Sequence, residues 1–445
     1  MKVSPRRFGW AVLVAGATLY AGAAGAAQVL YRGFTLIDGT GGAPRSGQAM
    51  LVDAAVIKWV GPVAQAPRAP GATYVNLQGR YVMPGIIDLH VHVGTVRDLT
   101  QKEEYFTPDS VKRDLRIYAA FGVTTVQSMG TDKDTIFGIR DAGRRGAQTM
   151  ARLLTAGQGL VFKGGYGGVP GINHPVATPE EAAAEVDAQA RKGVDYVKLW
   201  MDDELGAMPK MPYSISKAII AAGHRNGKRV LAHVFYLADA KVLVAQGIDG
   251  FMHSVRDKPI DAELIKAMKR RGVWQVAATL SREAAVYAFA KENPLTRDPF
   301  FRQAAAPETI ARLESPEREK SIANSRIFPA LPDIDAQARA NEMALARSGV
   351  KYGFGTDAGP PGRLPGYSEH WELEQLVKAG FTPGEAIHAA TGRSAEWLGS
   401  NDRGLIKAGR LADFVVLNGD PTRNILNSRK IAAVYIGGNK VPSVK

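Results

Sequence analysis

Met83-Pro84-Gly85-Ile86-Ile87-Asp88-Leu89-His90-Val91-His92-Val93-Gly94 reads as a breaker, an apolar strand with two histidines at alternate positions, and a closing glycine. Successive strand side chains point to opposite faces. His90 and His92 therefore share one face, and Leu89, Val91 and Val93 take the other. Two neutral imidazoles at a strand end suit a divalent metal. The alternative is a satisfied pair of core histidines, and the choice rests on whether later strands bring more ligands.

Outward from this strand, the middle of the chain alternates strand and helix. Strands are expected near 86–93, 123–129, 152–157, 195–201, 229–235, 250–255, 273–279 and 351–357, with helices such as Pro179 to Lys192, Ile215 to Asn226 and Asp261 to Arg271 between them. Eight such units predict an α/β fold, a (β/α)8 TIM barrel spanning 85–403. The charged, helical stretch near 282–331 is too long for a simple connector and reads as a cap insertion. Short alternating strands broken by glycine fill 28–84, and the same texture returns over 404–445, predicting a small β-sandwich built from both termini.

In a barrel of this kind, functional groups sit at the C-terminal strand ends. The fourth strand, Tyr196-Val197-Lys198-Leu199-Trp200, holds a lysine in an apolar run. Burial favours the neutral amine, which can take up carbon dioxide as an anionic carbamate with two oxygens. The competing reading is a snorkelling or ion-paired lysine. Leu231-Ala232-His233-Val234, Phe251-Met252-His253-Ser254 and Gly353-Phe354-Gly355-Thr356-Asp357 end strands five, six and eight. Each could be structural alone, but their joint occurrence at successive strand ends argues for a site.

With these residues the chain resembles the amidohydrolase superfamily, in its exported, dinuclear, dipeptidase-like branch related to imidazolonepropionase. The likeness covers nearly the whole mature chain, including Glu372 to Pro383 after the last strand and the closing Gly409-Arg410-Leu411-Ala412-Asp413-Phe414-Val415-Val416-Leu417. It implies that His90, His92 and Asp357 bind one metal and His233 and His253 the other, with carbamylated Lys198 and a hydroxide bridging them. Two cations acidify water and polarise a carbonyl, and Asp357 would carry the proton to the leaving nitrogen. Zinc suits these ligands, with manganese and cobalt left open. Relatives often carry a histidine in the loop after strand three. Here that loop reads Phe162-Lys163-Gly164-Gly165-Tyr166-Gly167-Gly168, a glycine-rich and flexible segment, leaving Tyr166 or the later His174 as substitutes. No Lys-Ser/Thr follows, so it is no phosphate loop.

Arg256 lies three residues past His253 and Tyr236 three past His233, which places both at the barrel mouth as holders of a substrate carboxylate. A surface ion pair of Arg256 with Asp257 or Asp261 is the alternative. His224 and His388 fall in helical patterns and read as structural or surface residues. His370, just beyond strand eight, is a weaker site candidate.

The N-terminus has its own character. Lys2, Arg6 and Arg7 precede an apolar run from Trp10 to Ala21 and the small residues Gly22 to Ala27. This predicts a secretory signal peptide over 1–27, cleaved after Ala26 or Ala27, against the alternative of a retained anchor. A periplasmic or secreted enzyme follows, with no stable membrane insertion after cleavage. The chain has no cysteine, so neither disulfides nor cysteine acylation contribute. Its net charge of +13, about +10 without the leader, comes with no basic block or aromatic-interleaved basic run, which argues against nucleic acid. The partner is a small-molecule substrate, with a homo-oligomer left open. The function expected is hydrolysis of an amide or peptide-like bond. The alternatives are a lactone or phosphotriester hydrolase on the same centre, or a binding protein on the same scaffold. Lys198 counts against a mononuclear deaminase.

Overall fold

The computed structural model describes residues 28–144, 148–289 and 294–443, and the expected signal peptide lies outside the described residues. The two termini join in one hydrogen-bonded sheet. Its order is Asn439–Lys440, Ile431–Ile436, Phe414–Leu417, Tyr81–Pro84, Val29–Leu36, Arg45–Asp53 and Val56–Pro62, with Thr73–Asn76 parallel to Val29–Leu36. The seam is the antiparallel pair Phe414↔Pro84 to Leu417↔Tyr81. Tyr31, Phe414 and Tyr435 stack at its core, with Tyr31 edge-on to Phe414 at 5.2 Å between ring centres. Such aromatic pairs add about 0.5–1.5 kcal/mol beyond their area burial.

Gly85 alone separates this sheet from the first barrel strand, Ile86–Val91. A second tie is the buried pair of Arg152, on the third barrel strand, with Asp413 at 2.8 and 3.1 Å. Removing one partner of such a buried, bidentate pair costs about 3–5 kcal/mol.

The barrel strands are Ile86–Val91, Val123–Ser128, Arg152–Thr155, Val197–Met201, Val230–Val234, Gly250–Phe251 and Trp274–Gln275. The eighth, expected over 351–357, is extended chain held by the parallel bridges Gln275↔Tyr352 and Val91↔Ala358. The Leu160↔Leu199 bridge links the third segment to the fourth. Strands six to eight are shorter than the sequence suggests. Thr279 (φ 58°) and Asp357 (φ 58°) are left-handed there. Each such backbone stores about 1–3 kcal/mol.

The first strand departs from simple alternation. Its register shifts between Asp88 and Val91. Leu89 joins Ile87, Met129, Leu231, Met252 and Val276 in a cluster fed by successive strands, the barrel interior, whereas Val91 and Val93 pack outward. The bulge breaks the expected sharing of a face by Leu89, Val91 and Val93, yet keeps the two histidines together.

The helices follow the sequence closely: Pro179–Lys192, Tyr213–Arg225 and Ala262–Arg271. Thr178 and Asp261 cap the first and third by accepting from Glu181 N and Leu264 N, and left-handed Gly193 and Gly272 end them. The 282–331 insertion is helical, with Leu280–Phe289, Pro299–Ala304, Pro307–Leu313 and Pro316–Ala323 leading into Leu331–Arg347. Phe301, Ile310, Leu313 and Ile322 pack with Tyr367 and Trp371 in a satellite core. Arg312 pairs with Asp98, and Arg326 donates to the Leu205 carbonyl, tying the insertion to loops after strands one and four. Among the described residues, no helix is long and apolar enough to cross a membrane.

Candidate metal centre

The residues predicted at strand ends converge. The His90 ring centre lies 5.4 Å from that of His92 and 4.8 Å from that of His253, which is 4.2 Å from His233. Asp357 Oδ1 stands 3.0 Å from His92 Nε2 and 3.5 Å from His90 Nε2. All five side chains are buried, and they line a cavity of about 210 Å³. Close approach of the last strand makes this possible. A Cβ on Gly355 would lie 2.9 Å from His90 N and 2.6 Å from the Ala277 methyl, so only glycine fits.

Each ring has one nitrogen already committed. His90 Nδ1 donates to the Met252 carbonyl (2.9 Å), while His92 Nδ1 and His253 Nδ1 meet Thr131 and Thr279 hydroxyls at 2.8 Å. That leaves Nε2 of all three for ligation, with His92 Nε2 facing Asp357 at 3.0 Å. His233 is reversed: its Nε2 meets Asp202 Oδ2 at 2.7 Å, leaving Nδ1. Burial keeps all four imidazoles below their ordinary value, His233 at about 4, so their lone pairs are available. Burial pushes the Asp357 carboxyl up, but Arg363, His90 and His92 outweigh it and hold it well below the carboxylate range.

Two buried atoms fit the binding of a divalent cation. His90 Nε2 and Lys198 Nζ have no hydrogen-bond partner among the described residues, an arrangement that costs free energy unless something binds there. Burial, with Arg282 adding and Asp357 opposing, brings the Lys198 ammonium down to about 7, so a neutral amine is at hand near neutral pH. The donor set of imidazoles, carboxylate and amine fits a divalent metal. Among the described residues, His90, His92 and Asp357 place their ligating atoms within 4.8 Å of one another.

The expected substrate contacts fare differently. Tyr166 lines the cavity, its ring 5.2 Å from His233. Its loop is anchored rather than flexible as expected. Gly167 lies flat on the Trp200 indole, and Asn173 donates to the Gly130 and Gly159 carbonyls, both at 2.7 Å. Arg256 is not at the mouth. It is only 4% exposed, donates to the Val234 and Ser254 carbonyls, and pairs at 3.2 Å with Glu283, not with Asp257 or Asp261. The Tyr236 hydroxyl is likewise given to Asp203 at 2.6 Å. His174 is 62% exposed beside Glu185, and His370 is buried away from the cluster between Ser428 and the Phe121 carbonyl.

Three groups escaped the sequence reading. Asp202 carried a usable signal, being two and four residues past Trp200 and Lys198 and hence on their strand face. Arg282 and Arg363 both reach Asp357 Oδ2, Arg282 through Nε at 3.1 Å. They start from a helix's first turn and from a Pro360–Arg363 turn closed by Arg363 N donating to the Pro360 carbonyl, and neither carries a periodic signal.

A (β/α)8 barrel with four histidines, a lysine and an aspartate at its strand ends defines a metal-dependent hydrolase class. The profile of the amidohydrolase family matches residues 81–441. The chain belongs to that family and is a hydrolase acting on carbon–nitrogen bonds. It is 25% identical over 430 residues to imidazolonepropionase of Deinococcus radiodurans, covering 88% of this chain and 91% of that one. Its fold resembles a Xaa-Pro dipeptidase with methionine bound in the active site (TM-score 0.74, 22% identity, 94% of this chain, 100% of the other). It also resembles a prolidase complexed with N-methylphosphonate-L-proline (TM-score 0.72, 20% identity, 94% of this chain, 100% of the other).

Proposed function

We propose that this chain is a dinuclear amidohydrolase that cleaves an amide or peptide-like bond in a small, carboxylate-bearing substrate. The observation that carries the reading is the unpartnered pair His90 Nε2 and Lys198 Nζ, buried among three further histidines and Asp357. His90, His92 and Asp357 would hold one divalent cation, His233 and His253 a second, and Lys198, as its carbamate, both. When bound, the two cations, zinc by donor type, acidify water and polarise the scissile carbonyl.

The protein's own groups handle the proton and the substrate. Asp357 takes the proton of the attacking water and returns it to the leaving nitrogen. Arg282 and Arg363 keep its outer oxygen oriented. The helical insertion, tied to the mouth by Arg312 and Arg326, excludes bulk water and limits substrate size. A substrate carboxylate is met by Arg363, the guanidinium that lines the cavity.

The test is elemental analysis of protein purified without chelator, followed by a panel of amides, esters and phosphotriesters. The reading expects about two metals per chain and turnover on N-acyl amino acids or dipeptides that falls about 10²-fold or more in Asp357→Asn. Turnover confined to phosphotriesters or lactones would overturn it. Export belongs to the same reading. Protein from the native host's envelope should begin at Ala27 or Gln28 by mass spectrometry, and an intact Met1 in the cytoplasm would refute export.

A further inference from the structure

Asp357 shows two different faces to the protein. Its Oδ1 stands 3.0 Å from His92 Nε2, and its Oδ2 is taken by Arg363 and by Arg282 Nε at 3.1 Å. An arginine side chain is long and rich in rotamers, so a guanidinium that must hold one carboxylate oxygen needs an anchor of its own. Glu283, a buried carboxylate that the proton path leaves unused, is placed to be that anchor.

Glu283 Oε1 accepts from Arg282 Nη1 and lies 3.2 Å from Arg256 Nε. Adjacent residues on a helix do not normally face each other, so the Arg282–Glu283 contact is no by-product of the helix. Arg256, on the far side, is itself fixed by donating to the Val234 and Ser254 carbonyls at 2.8 and 3.0 Å. Burial pushes the Glu283 carboxyl up, but Arg282 and Arg256 outweigh it and hold it below its ordinary value, which keeps it an anion between two cations. The turn that carries the pair is pinned as well. Leu280 N and Ser281 N donate to the Glu372 carboxylate at 2.9 and 2.6 Å, and the Thr279 hydroxyl meets His253 Nδ1 at 2.8 Å.

We propose that Glu283 is a positioning residue: braced by Arg256, it holds the Arg282 guanidinium against Asp357 Oδ2. The assignment rests on the amidohydrolase reading above, in which Asp357 carries the proton. Arg256 and Arg282 are two cations sharing one anion, and with Glu283 neutralised they repel each other in a buried space. Arg282 then loses the anchor on Nη1, and its Nε no longer keeps Oδ2 in one orientation. Asp357 retains its contacts with His90 and His92, so metal and substrate still bind while the proton transfer loses its geometry.

The experiment uses the metal-loaded full chain and an N-acyl amino acid that the wild type cleaves. Glu283→Gln should lower kcat about 10- to 100-fold, with KM and metal content at the wild-type level. In an Arg282→Met background the same change should alter kcat by less than about twofold, since its route through Arg282 is gone. A second readout is free of turnover. The Arg282 Nε–H, identified in ¹⁵N NMR spectra by its loss in Arg282→Met, should exchange slowly with water in wild type and faster in Glu283→Gln. Where Glu283→Gln fails to fold or to hold metal, the same cycle is read in Glu283→Asp, which keeps the charge but sets it one methylene back. A kcat within about twofold of wild type, equal losses with and without Arg282, or an unchanged Nε–H exchange overturns the assignment while leaving amide hydrolysis standing. A metal-loaded wild type that cleaves no amide overturns the functional reading instead, and the NMR arm then decides by itself whether Glu283 holds Arg282.

Discussion

The Asp202 carboxylate stands 2.7 Å from Nε2 of His233, and both are buried. Ionised Asp202 can only accept, so it fixes the proton on Nε2 and presents Nδ1 as the lone pair. In Asp202→Asn the amide can donate to Nε2, which moves the ring proton to Nδ1 and blocks ligation. Metal retention, measured by competition with a chelator, should weaken about 10- to 100-fold, the usual scale for such partners. Unchanged affinity would reduce Asp202 to a cap for the Asp203 and Glu204 amides, which it also binds.

Lys198 should carry carbon dioxide. Its amine is fully buried, unpartnered and brought to about 7 by burial, with Arg282 adding. Metal-loaded protein equilibrated with ¹³C-bicarbonate should show one carbamate carbon by NMR, absent in Lys198→Ala, which should also lose bridged metal. Full metal and activity in Lys198→Ala would exclude a bridging role.

Under the proposed function Arg363, which lines the cavity, and not Arg256, meets the substrate carboxylate. The wild type should prefer free-acid N-acyl amino acids over their amidated twins, and in Arg363→Met that preference should shrink about tenfold or more. The ratio separates anchoring from the arginine's contact with Asp357, which affects both substrates alike. Equal cleavage of the twins by wild type would rule out an anchor.

Glu342 and Glu372 are both buried, and Glu342 is pushed by burial, with Glu372 adding, up to about 8. A carboxyl raised in the folded state binds its proton more tightly there than when unfolded. Its stabilising contribution is whole below its ordinary value of 4.5 and drains away as pH rises through about 8. Thermal midpoints should therefore fall less between pH 6 and 9 in Glu342→Gln than in wild type. Parallel curves would show that the Glu342 carboxyl does not titrate there.

The alternation of strand and helix, the polar groups at strand ends and the helix limits were legible in the chain because they are written in local periods. The two-residue strand period aligned His90 with His92, and would also have placed Asp202 beside Lys198. Capping residues such as Thr178 and Asp261 marked helix starts by their own hydrogen bonds. The β texture of both ends foretold a joint sheet, whose seam runs between Tyr81–Pro84 and Phe414–Leu417.

What only the tertiary structure decided was where long polar side chains spend their donors. Three residues past His253 looked like the barrel mouth, yet Arg256 is buried, where it donates to two carbonyls and pairs with Glu283. Arg282 and Arg363 reach Asp357 from a helix start and a closed turn, segments with no period to read. The bulge in the first strand likewise depends on the neighbouring strand's register. Sequence by itself determined which groups lie at strand ends, since backbone geometry is local. Only packing determined their charge partners, because a flexible side chain goes to the counter-charge that folding brings within reach.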